Sequence, residues 1–521
     1  MKPKPIVLDG KSLKIDDLKA LVCNPEIQIN IDSQALKQAR KARSFLENTV
    51  KKNNKIIYGV NTGFGPMASH ILAKPQLTAL QHNLINSHAV GMGKPVETAY
   101  VLSAMVVRLN TLAKGHSGVS EQLLLQLQKF INYRIIPVVP EHGAVGTSGD
   151  LVQLAQIALV LLGKGQAFYE DKIFPAEQLL KKFKLKPYEL KIKEGLSLIN
   201  GTSMMSGIAA LVCHDADKLV KLATATGALA MELVRSHSDS ISPELQSLRP
   251  HQGQQQIAAN LRKILASSKL LRDRKKEHID LHIPKGVLEI SDRVQEVYSI
   301  RCVPQILGPI WESLQRAKKI TEIETNSVTD NPIVYWESKQ FLHGGNFHGD
   351  YIATAVDQLK MSLVKLSLLS ERRVNFFLHS KINHSFPPFL NLNTPGLTLG
   401  LQGLQFVATS TASQNQTLAF PQSVHSIPTN ADNQDVVSMG TDAALMAVKV
   451  IENCFIITTI ELITLIQAMD HFKHLTSFCR LSQELYGEIR QLMPSVEDDD
   501  DLNPYLQKVL DYTKNKILPI G

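Results

Sequence analysis

Residues 436–469 read VVSMGTDAALMAVKVIENCFIITTIELITLIQAM, and this stretch decides the architecture of the chain. Apolar residues occur on most sides of a helix with 3.6 residues per turn, which predicts a long helix buried nearly all round. Four charged residues interrupt it, namely Asp442, Lys449, Glu452 and Glu461. Because no uncharged run reaches the roughly 20 residues that a bilayer requires, we expect a core helix and not a membrane span.

Two further stretches, 204–234 and 352–378, show the same helical spacing of apolar residues. Each is longer than the average helix of a globular protein. The alternation typical of strands is sparse, with short examples at 55–60 and 168–173. The pattern therefore predicts a mainly helical protein built around a bundle of long helices.

The composition is that of a globular protein with a mildly basic surface. Hydrophobic residues make up 44% and charged residues 20%, which excludes a disordered chain, and the formal net charge is +8. That charge suits anionic substrates such as carboxylates, whereas no nucleic-acid-binding motif accompanies it. The five cysteines form no Cys-x-x-Cys pair, which argues against a zinc site and a disulfide framework. With no apolar signal segment at the N-terminus, we expect a cytoplasmic location and no membrane partner.

Residues 141–165, EHGAVGTSGDLVQLAQIALVLLGKG, carry the chemistry. The apolar residues from Leu151 onward share one helical face, with Asp150 as the expected N-cap and a glycine as the expected stop. The tripeptide Thr147-Ser148-Gly149 therefore lies at a helix N-terminus. Backbone N–H groups and the helix dipole favour negative charge at such a position.

The order X-Ser-Gly is the minimum that lets a backbone make its own electrophile. The amide nitrogen of Gly149 can attack the carbonyl carbon of Thr147, because a residue without a Cβ permits the tight approach. Subsequent loss of the Ser148 hydroxyl would leave a conjugated imidazolone with an exocyclic methylidene. Taken alone, such a tripeptide more often marks an ordinary turn before a helix.

Six further motifs favour a cofactor-forming tripeptide over an ordinary turn. They are YGVNTGFGP (58–66), LINGTS (198–203), VQEVYSIRCVPQILGP (294–309), TDNP (329–332), GGNFHGDY (344–351) and NQDVVSMGT (433–441). With HGAVGTSGDLVQLAQIALVLLGKG, this set closely resembles the histidine/phenylalanine/tyrosine ammonia-lyase family through nearly the whole chain. Within the family, the sequence as a whole most resembles bacterial tyrosine ammonia-lyases. One departure is Thr147, which stands where the family usually has Ala.

The resemblance implies a reaction and a cofactor. The reaction is the removal of ammonia from an aromatic L-amino acid by an autocatalytic 4-methylidene-imidazol-5-one ring, formed here from Thr147-Ser148-Gly149. Ammonium is a poor leaving group, which an electrophile on the substrate nitrogen improves, and a base must take the weakly acidic β-proton. Thr147 would leave a hydroxyethyl substituent on the ring. No metal or nucleotide is implied.

The resemblance also assigns roles to individual residues. Tyr58 would be the base, and Asn200 would contact the ring oxygen. In the pattern Gln-x-x-Tyr-x-x-Arg, Arg301 would bind the substrate carboxylate through two charge-assisted hydrogen bonds. The catalytic candidates are Tyr58, Thr147, Ser148, Gly149, Asn200, Tyr298 and Arg301, and the substrate-binding candidates are Gly65, Ser87, His88, Gln295, Phe347, Asn433 and Gln434.

Two positions bear on the substrate. His88, which follows Ser87, can bond a phenol hydroxyl or an imidazole, whereas an apolar pair would indicate phenylalanine. Gln434 stands where histidine-selective members carry Glu. Together these positions favour L-tyrosine, converted to trans-4-coumarate, with L-histidine, converted to urocanate, as the alternative. A phenylalanine ammonia-lyase and an aminomutase, which re-adds ammonia at the β-carbon, also stay open.

Two interpretations lie outside this chemistry. A helical assembly protein with an inactive site would lack Tyr58, Ser148 or Arg301, and all three are present. A fumarase-like lyase without the ring also uses long helices, but its Ser loop, G-S-S-x-M-P-x-K-x-N, is absent.

The resemblance implies a mainly α fold, a long-helix bundle of the fumarase/aspartase-like type with a smaller mixed N-terminal domain carrying the cofactor loop. We expect that domain, with Tyr58, to span residues 1–200, and the bundle with a C-terminal helical region to span 201–521. The family assembles as homotetramers whose active sites take loops from three chains. Long helices that are apolar on several faces need such partners.

Overall fold

The computed structural model describes residues 3–52, 55–277, 286–287 and 294–520. Its α-helices are α1 (Ile15–Cys23), α2 (Ser33–Lys52), α3 (Leu77–His88), α4 (Thr98–Ala113), α5 (Glu121–Asn132), α6 (Leu151–Leu161), α7 (Ala176–Lys182), α8 (Glu194–Ile199), α9 (Ser203–Leu233), α10 (Pro243–Ser247), α11 (Gln252–Leu265), α12 (Tyr298–Arg301), α13 (Val303–Thr325), α14 (Asp350–Leu378), α15 (Ser380–Asn383), α16 (Gln402–Leu418), α17 (Gly440–Met469), α18 (Arg480–Leu492) and α19 (Asn503–Asn515). Its strands are β1 (Ile6–Leu8), β2 (Ile29–Ile31), β3 (Met92–Pro95), β4 (Ile136–Pro137), β5 (Pro140–His142), β6 (Gln166–Tyr169), β7 (Lys172–Pro175), β8 (Ile333–Tyr335) and β9 (Gln340–Leu342). The prediction of a mainly helical protein is confirmed.

The three long helices predicted from the apolar spacing are α9, α14 and α17, with 31, 29 and 30 residues. Helix α17 begins four residues later than the apolar pattern does. Met439, just before it, has a left-handed backbone with φ 51° and donates its N–H to the carbonyl of Val145. The start of the apolar run therefore belongs to a loop beside the 147–149 tripeptide.

Helix α17 is long and apolar enough, by length and composition, to cross a membrane. In the protein, however, 67% of its apolar window is buried. This burial agrees with the prediction of a core helix covered on most sides.

The chain divides into two compact units. Unit 1 comprises Met1–His214, Arg316–Gln358 and Pro421–Val448, and unit 2 comprises Asp215–Gln315, Leu359–Phe420 and Lys449–Gly521. The domain boundary expected near residue 200 stays a prediction.

All nine strands of the described residues lie in unit 1, in four small sheets. The pair β1–β2 is parallel, whereas β3–β5, β4–β6–β7 and β8–β9 are antiparallel. The alternation at 168–173 is confirmed as the β6–β7 hairpin, which turns at Glu170 and Asp171 with φ of 47° and 58°.

The strand expected at 55–60 is wrong, because side chains take the backbone hydrogen bonds there. The Asn61 amide accepts from the N–H of Ile57 and donates to the carbonyl of Lys55, and the Thr62 hydroxyl accepts from the N–H of Gly59. Asn and Thr side chains that bond neighbouring backbone groups favour turns over strands. The result is a turn that carries Tyr58.

The core of unit 2 contains a buried ion pair between two long helices. Arg373 of α14 and Glu461 of α17 are both fully buried, with Nε and Oε1 2.6 Å apart. A buried charge needs such a partner, since an unpaired one would cost several kcal/mol of stability.

Candidate active site

A cavity of about 770 Å³ in unit 1 gathers most of the candidate residues. This volume is within the range of small-molecule sites. Its lining includes ten of the fourteen candidates, namely Tyr58, Gly65, Ser87, His88, Thr147, Ser148, Asn200, Phe347, Asn433 and Gln434. The fold thus brings together residues that are up to 376 positions apart in the chain, from Tyr58 to Gln434.

The 147–149 tripeptide packs backbone to backbone against the loop at Gly201. Gly149 has φ +72°, and a Cβ there would lie 2.0 Å from the carbonyl oxygen of Gly201. The next N–H, that of Asp150, donates to the same oxygen at 2.9 Å. Only glycine fits at position 149, for both conformational and steric reasons.

Asn200 connects this tripeptide to a second loop. Its Nδ2 donates to the carbonyl oxygen of Ser148 at 3.0 Å, and its Oδ1 accepts from the N–H of Asn331 at 2.8 Å. Asn200 is only 4% exposed. Both ends of its amide are therefore held, and its N–H is directed at the oxygen that an imidazolone ring would keep.

Tyr58 lies in the turn described above, with its ring edge-on to Phe64 at 6.4 Å between centroids. The N–H of Gly65 donates to the Tyr58 hydroxyl oxygen at 3.0 Å. This hydrogen bond fixes the phenol oxygen in position at the wall of the cavity.

His88 is the last residue of α3 and faces the cavity. Its Nδ1 is 2.9 Å from the carbonyl oxygen of Leu84 and 3.0 Å from the hydroxyl of Ser87. A carbonyl oxygen only accepts, so Nδ1 carries the hydrogen, and Nε2 of the neutral ring is left as an acceptor. An acceptor suits a substrate ring that ends in an O–H or N–H group.

Gln434 contacts two residues of the tripeptide. Its Oε1 lies 2.5 Å from the hydroxyl of Thr147 and its Nε2 lies 3.1 Å from the hydroxyl of Ser148. The Thr429 hydroxyl is also within 3.1 Å of Oε1.

Asp150 occupies the N-cap position of α6, as predicted, but its carboxylate does not cap that helix. It accepts from the N–H groups of Met204 and Met205 at the start of α9, at 2.8 and 3.0 Å, and from the hydroxyl of Thr441. The expectation that its side chain caps α6 is therefore wrong, because the N-terminus of α9 lies within reach. Burial raises the pKa of this carboxyl from 3.8 to about 6.

A buried ion pair joins the segments that lead to Asn200 and Asn331. Lys193 and Asp330 are both fully buried, with Nζ and Oδ2 2.9 Å apart. Lys193 Nζ also donates to the carbonyl of Ser117 and the hydroxyl of Ser197. Burial lowers the pKa of Lys193. It also lowers the pKa of nearby Arg108, to about 10.

The three remaining candidates, Gln295, Tyr298 and Arg301, belong to unit 2. They lie in and just before the short helix α12, where the Arg301 guanidinium is 4.8 Å from the centre of the Tyr298 ring. Tyr298 is 68% exposed. Arg301 Nε is buried without a hydrogen-bond partner among the described residues.

Several lining residues were not anticipated from the sequence. Leu80 and Leu84 precede His88 on α3 at spacings of eight and four residues, so a helical projection of that segment would have found them. Thr429 gave no signal, because its position beside Gln434 depends on a loop that folds back on itself. In the part of the chain that the structure describes, no group of three His, Cys, Asp or Glu residues is arranged to hold a metal ion.

Comparison with known proteins defines the class. The family model "Aromatic amino acid lyase" matches residues 13–491. The chain therefore belongs to the aromatic amino acid lyase family and is a carbon–nitrogen lyase, as the motifs predicted.

Individual relatives cover almost the whole chain. The histidine ammonia-lyase of Treponema denticola is 37% identical over 99% of this chain and 98% of its own, and that of Bacillus subtilis is 36% identical over 98% and 97%. Among solved structures, tyrosine aminomutase from Streptomyces globisporus has a TM-score of 0.94 at 34% identity, covering 98% of this chain and 97% of its own. Histidine ammonia-lyase from Trypanosoma cruzi has a TM-score of 0.88 at 32% identity, covering 98% and 93%.

These relatives confirm the long-helix fold of the fumarase-like type. They do not confirm tyrosine as the substrate. The curated relatives are named for histidine, which was the alternative, and the comparisons support that alternative better than the main prediction.

Proposed function

We propose that this lyase removes ammonia from an aromatic L-amino acid and that Thr147-Ser148-Gly149 cyclises to 4-methylidene-imidazol-5-one for that purpose. The observation that carries the proposal is the contact of Gly149 with Gly201, which leaves no space for a Cβ on the residue whose nitrogen must attack. Once formed, the ring supplies an electrophile for the substrate nitrogen.

Ring closure balances as the loss of two waters. The Gly149 nitrogen bonds to the Thr147 carbonyl carbon, and the Thr147 oxygen leaves with the amide protons of Gly149 and Ser148. The Ser148 hydroxyl then leaves with the Cα proton of the same residue. Asn200 already donates to the Ser148 oxygen, which the ring retains, and a donor at that oxygen stabilises charge that develops there.

Tyr58 is the base in this proposal. Its hydroxyl oxygen receives the Gly65 N–H, and it faces the same cavity as Ser148. From there it would take the β-proton of a substrate whose aromatic ring lies against the apolar lining, which includes Leu80, Leu84 and Phe347.

The substrate carboxylate requires a cation, and the described lining of the cavity holds no Lys or Arg. We assign this role to Arg301 of a neighbouring chain in a homotetramer, with Gln295 and Tyr298 beside it. Two observations support the assignment, namely the exposed ring of Tyr298 and the Nε of Arg301, which has no hydrogen-bond partner among the described residues. We place the enzyme in the cytoplasm on the sequence arguments above.

Two substrates are each favoured by a specific observation. The geometry favours L-tyrosine, because Gln434 presents a neutral amide where a carboxylate would suit an imidazole, and because Nε2 of His88 can accept from a phenol hydroxyl. The 34% identical tyrosine aminomutase agrees with this choice. The curated relatives favour L-histidine, whose ring N–H could also donate to His88.

Product analysis decides between them. The purified protein is incubated separately with L-tyrosine, L-histidine and L-phenylalanine, and the product is identified by absorbance and chromatography. We expect trans-4-coumarate from tyrosine. Urocanate as the main product would establish histidine, and a β-amino acid would establish an aminomutase. Release of neither an acrylate nor a β-amino acid from any of the three would overturn the proposed function.

Replacing His88 with Phe tests the selectivity. A site that bonds a substrate hydroxyl rejects the analogue without it, so H88F should shift the ratio of kcat/KM towards phenylalanine by about 100-fold or more. Asn83, which also lines the cavity, provides the comparison variant N83A. An unchanged ratio in H88F would show that His88 does not select the substrate.

A further inference from the structure

The hydrogen bonds of Gln434 define which residue of the tripeptide each end of its amide contacts. The atom between the hydroxyls of Thr147 and Thr429 lies 2.5 and 3.1 Å from them. Both hydroxyls donate to this atom, which is the amide oxygen Oε1. The amide nitrogen therefore points to the hydroxyl of Ser148, 3.1 Å away.

The backbone keeps Thr429 next to Gln434. The N–H of each residue donates to the carbonyl of the other, at 3.1 and 3.3 Å. The three residues that follow Thr429, namely Asn430, Ala431 and Asp432, all have left-handed φ angles of 52–58°. This narrow loop holds one of the two hydroxyls in place, and Thr147, only 3% exposed, holds the other away from water.

We propose that Thr147 is a positioning residue, whose hydroxyl acts with that of Thr429 to orient the Gln434 amide with its N–H groups towards the reaction site. The inference rests on the proposed function, since it assigns a role within that site. Ring closure uses only the carbonyl of Thr147, so the hydroxyl is available for this second task.

The orientation has a chemical consequence for the substrate. When Ser148 gives up its hydroxyl, the Gln434 N–H loses the acceptor that it has here and can serve an acceptor on the substrate. A carboxylate oxygen is such an acceptor. Thr147 is thus a determinant of substrate affinity.

The first test removes each hydroxyl while keeping the shape of the side chain. T147V and T429V should each lower kcat/KM for tyrosine roughly 2- to 10-fold, the value of one hydrogen bond. The loss should appear mainly in KM, because the ring still forms. T147S, which keeps the hydroxyl, should restore both kcat/KM and KM.

Thr111 provides a matched control. It is 1% exposed, lies in α4, and its hydroxyl has no hydrogen-bond partner among the described residues. T111V therefore repeats the same chemical change in a buried position outside the site, and we expect its kinetics to match those of the wild type.

A double-mutant cycle with Q434A separates orientation from general packing. If Thr147 acts through Gln434, T147V has little further effect on KM in the Q434A background. The same cycle on thermal unfolding midpoints gives a readout that does not depend on activity, and the two changes should be non-additive there too. Additive effects in both measurements, or no effect of T429V on KM, would overturn the proposal.

The outcomes also distinguish this proposal from the one on which it rests. Intact mass of the wild type reports the loss of two waters, and product formation reports the reaction. If either fails in the wild type, the proposed function is wrong. If both succeed and the cycle shows no coupling, only the role of Thr147 is wrong.

Discussion

At the scale of single residues, position 149 combines two demands that only glycine meets. Its backbone is left-handed, and its Cα faces the carbonyl of Gly201 at a distance that excludes a Cβ. The same close approach allows the N–H of Asp150 to donate to the carbonyl oxygen of Gly201, and this hydrogen bond joins the two loops. The need for glycine is therefore both chemical, in ring closure, and structural, in loop packing.

G149A should for this reason lose the cofactor. We expect its intact mass to show no loss of water, and its activity to fall by more than roughly 1000-fold because the electrophile is missing. A Cβ added at Gly487 in α18 would meet no atom within 4 Å, so G487A is the matched control. G487A should keep full activity, and its helix should gain about 0.5–1 kcal/mol. Normal maturation of G149A would contradict the packing argument.

At the scale of elements, Asp150 ties the end of one loop to the start of a long helix. Its carboxylate accepts from two N–H groups of the first turn of α9, where a negative charge is favoured. Burial nevertheless raises its pKa to about 6. The folded protein consequently binds this proton more tightly than the unfolded chain, whose carboxyl has its ordinary pKa of 3.8.

The stability contributed by Asp150 should therefore fall as the pH rises from about 4 to about 6. The change is on the order of 3 kcal/mol. The measurement compares thermal unfolding of D150N, which cannot titrate, with that of the wild type across this range. We expect the unfolding temperature of D150N, relative to that of the wild type, to rise as the pH increases. A difference that is constant with pH would contradict the raised pKa.

The ion pair of Lys193 and Asp330 joins the start of α8 to the loop that precedes β8. Because both groups are fully buried, K193M leaves an unpaired carboxylate inside the protein and should cost roughly 3–5 kcal/mol of stability. The double variant K193M/D330N should be more stable than K193M alone. Both are measured by thermal unfolding.

The control for this prediction is K181M, which breaks the exposed pair with Glu177. Solvent screens that pair, so no measurable change is expected. If K193M and K181M unfolded at the same temperature, the buried pair would not contribute to stability.

At the scale of the whole molecule, we propose a site to which more than one chain contributes. Tyr58 and the tripeptide belong to unit 1, whereas Arg301 belongs to unit 2 and is assigned to a neighbouring subunit. Exposed apolar side chains such as Val297, Phe406 and Ile427 agree with surfaces that a second copy covers.

Mixed oligomers test this assignment. Y58F and R301A should each be inactive as pure proteins. If the two residues come from different chains, co-expression restores some sites with both residues intact, about a quarter of them for random mixing. If one chain supplies both residues, the mixture stays inactive. A co-expressed pair of Y58F and S148A, both in unit 1, provides a comparison within one unit.

Much of this protein follows from local patterns in its sequence. The helical spacing of apolar residues predicted α9, α14 and α17, because burial of a helix repeats every 3.6 residues whatever the rest of the chain does. The motifs likewise predicted the family and ten residues that line the cavity. The strand expected at 55–60, by contrast, does not form, because the side chains of Asn61 and Thr62 compete with strand pairing in a way that apolar alternation does not reveal.

Only the tertiary structure decided which distant groups meet. The chain order does not show that Asp150 bonds the first turn of α9, or that Thr147, Thr429 and Gln434 share one hydrogen-bond network. Such contacts depend on the packing of loops separated by tens to hundreds of residues, and a hydrogen bond forms only when its two atoms lie within about 3 Å. The chemistry of the tripeptide thus follows from three consecutive residues, whereas its orientation towards a substrate depends on the fold.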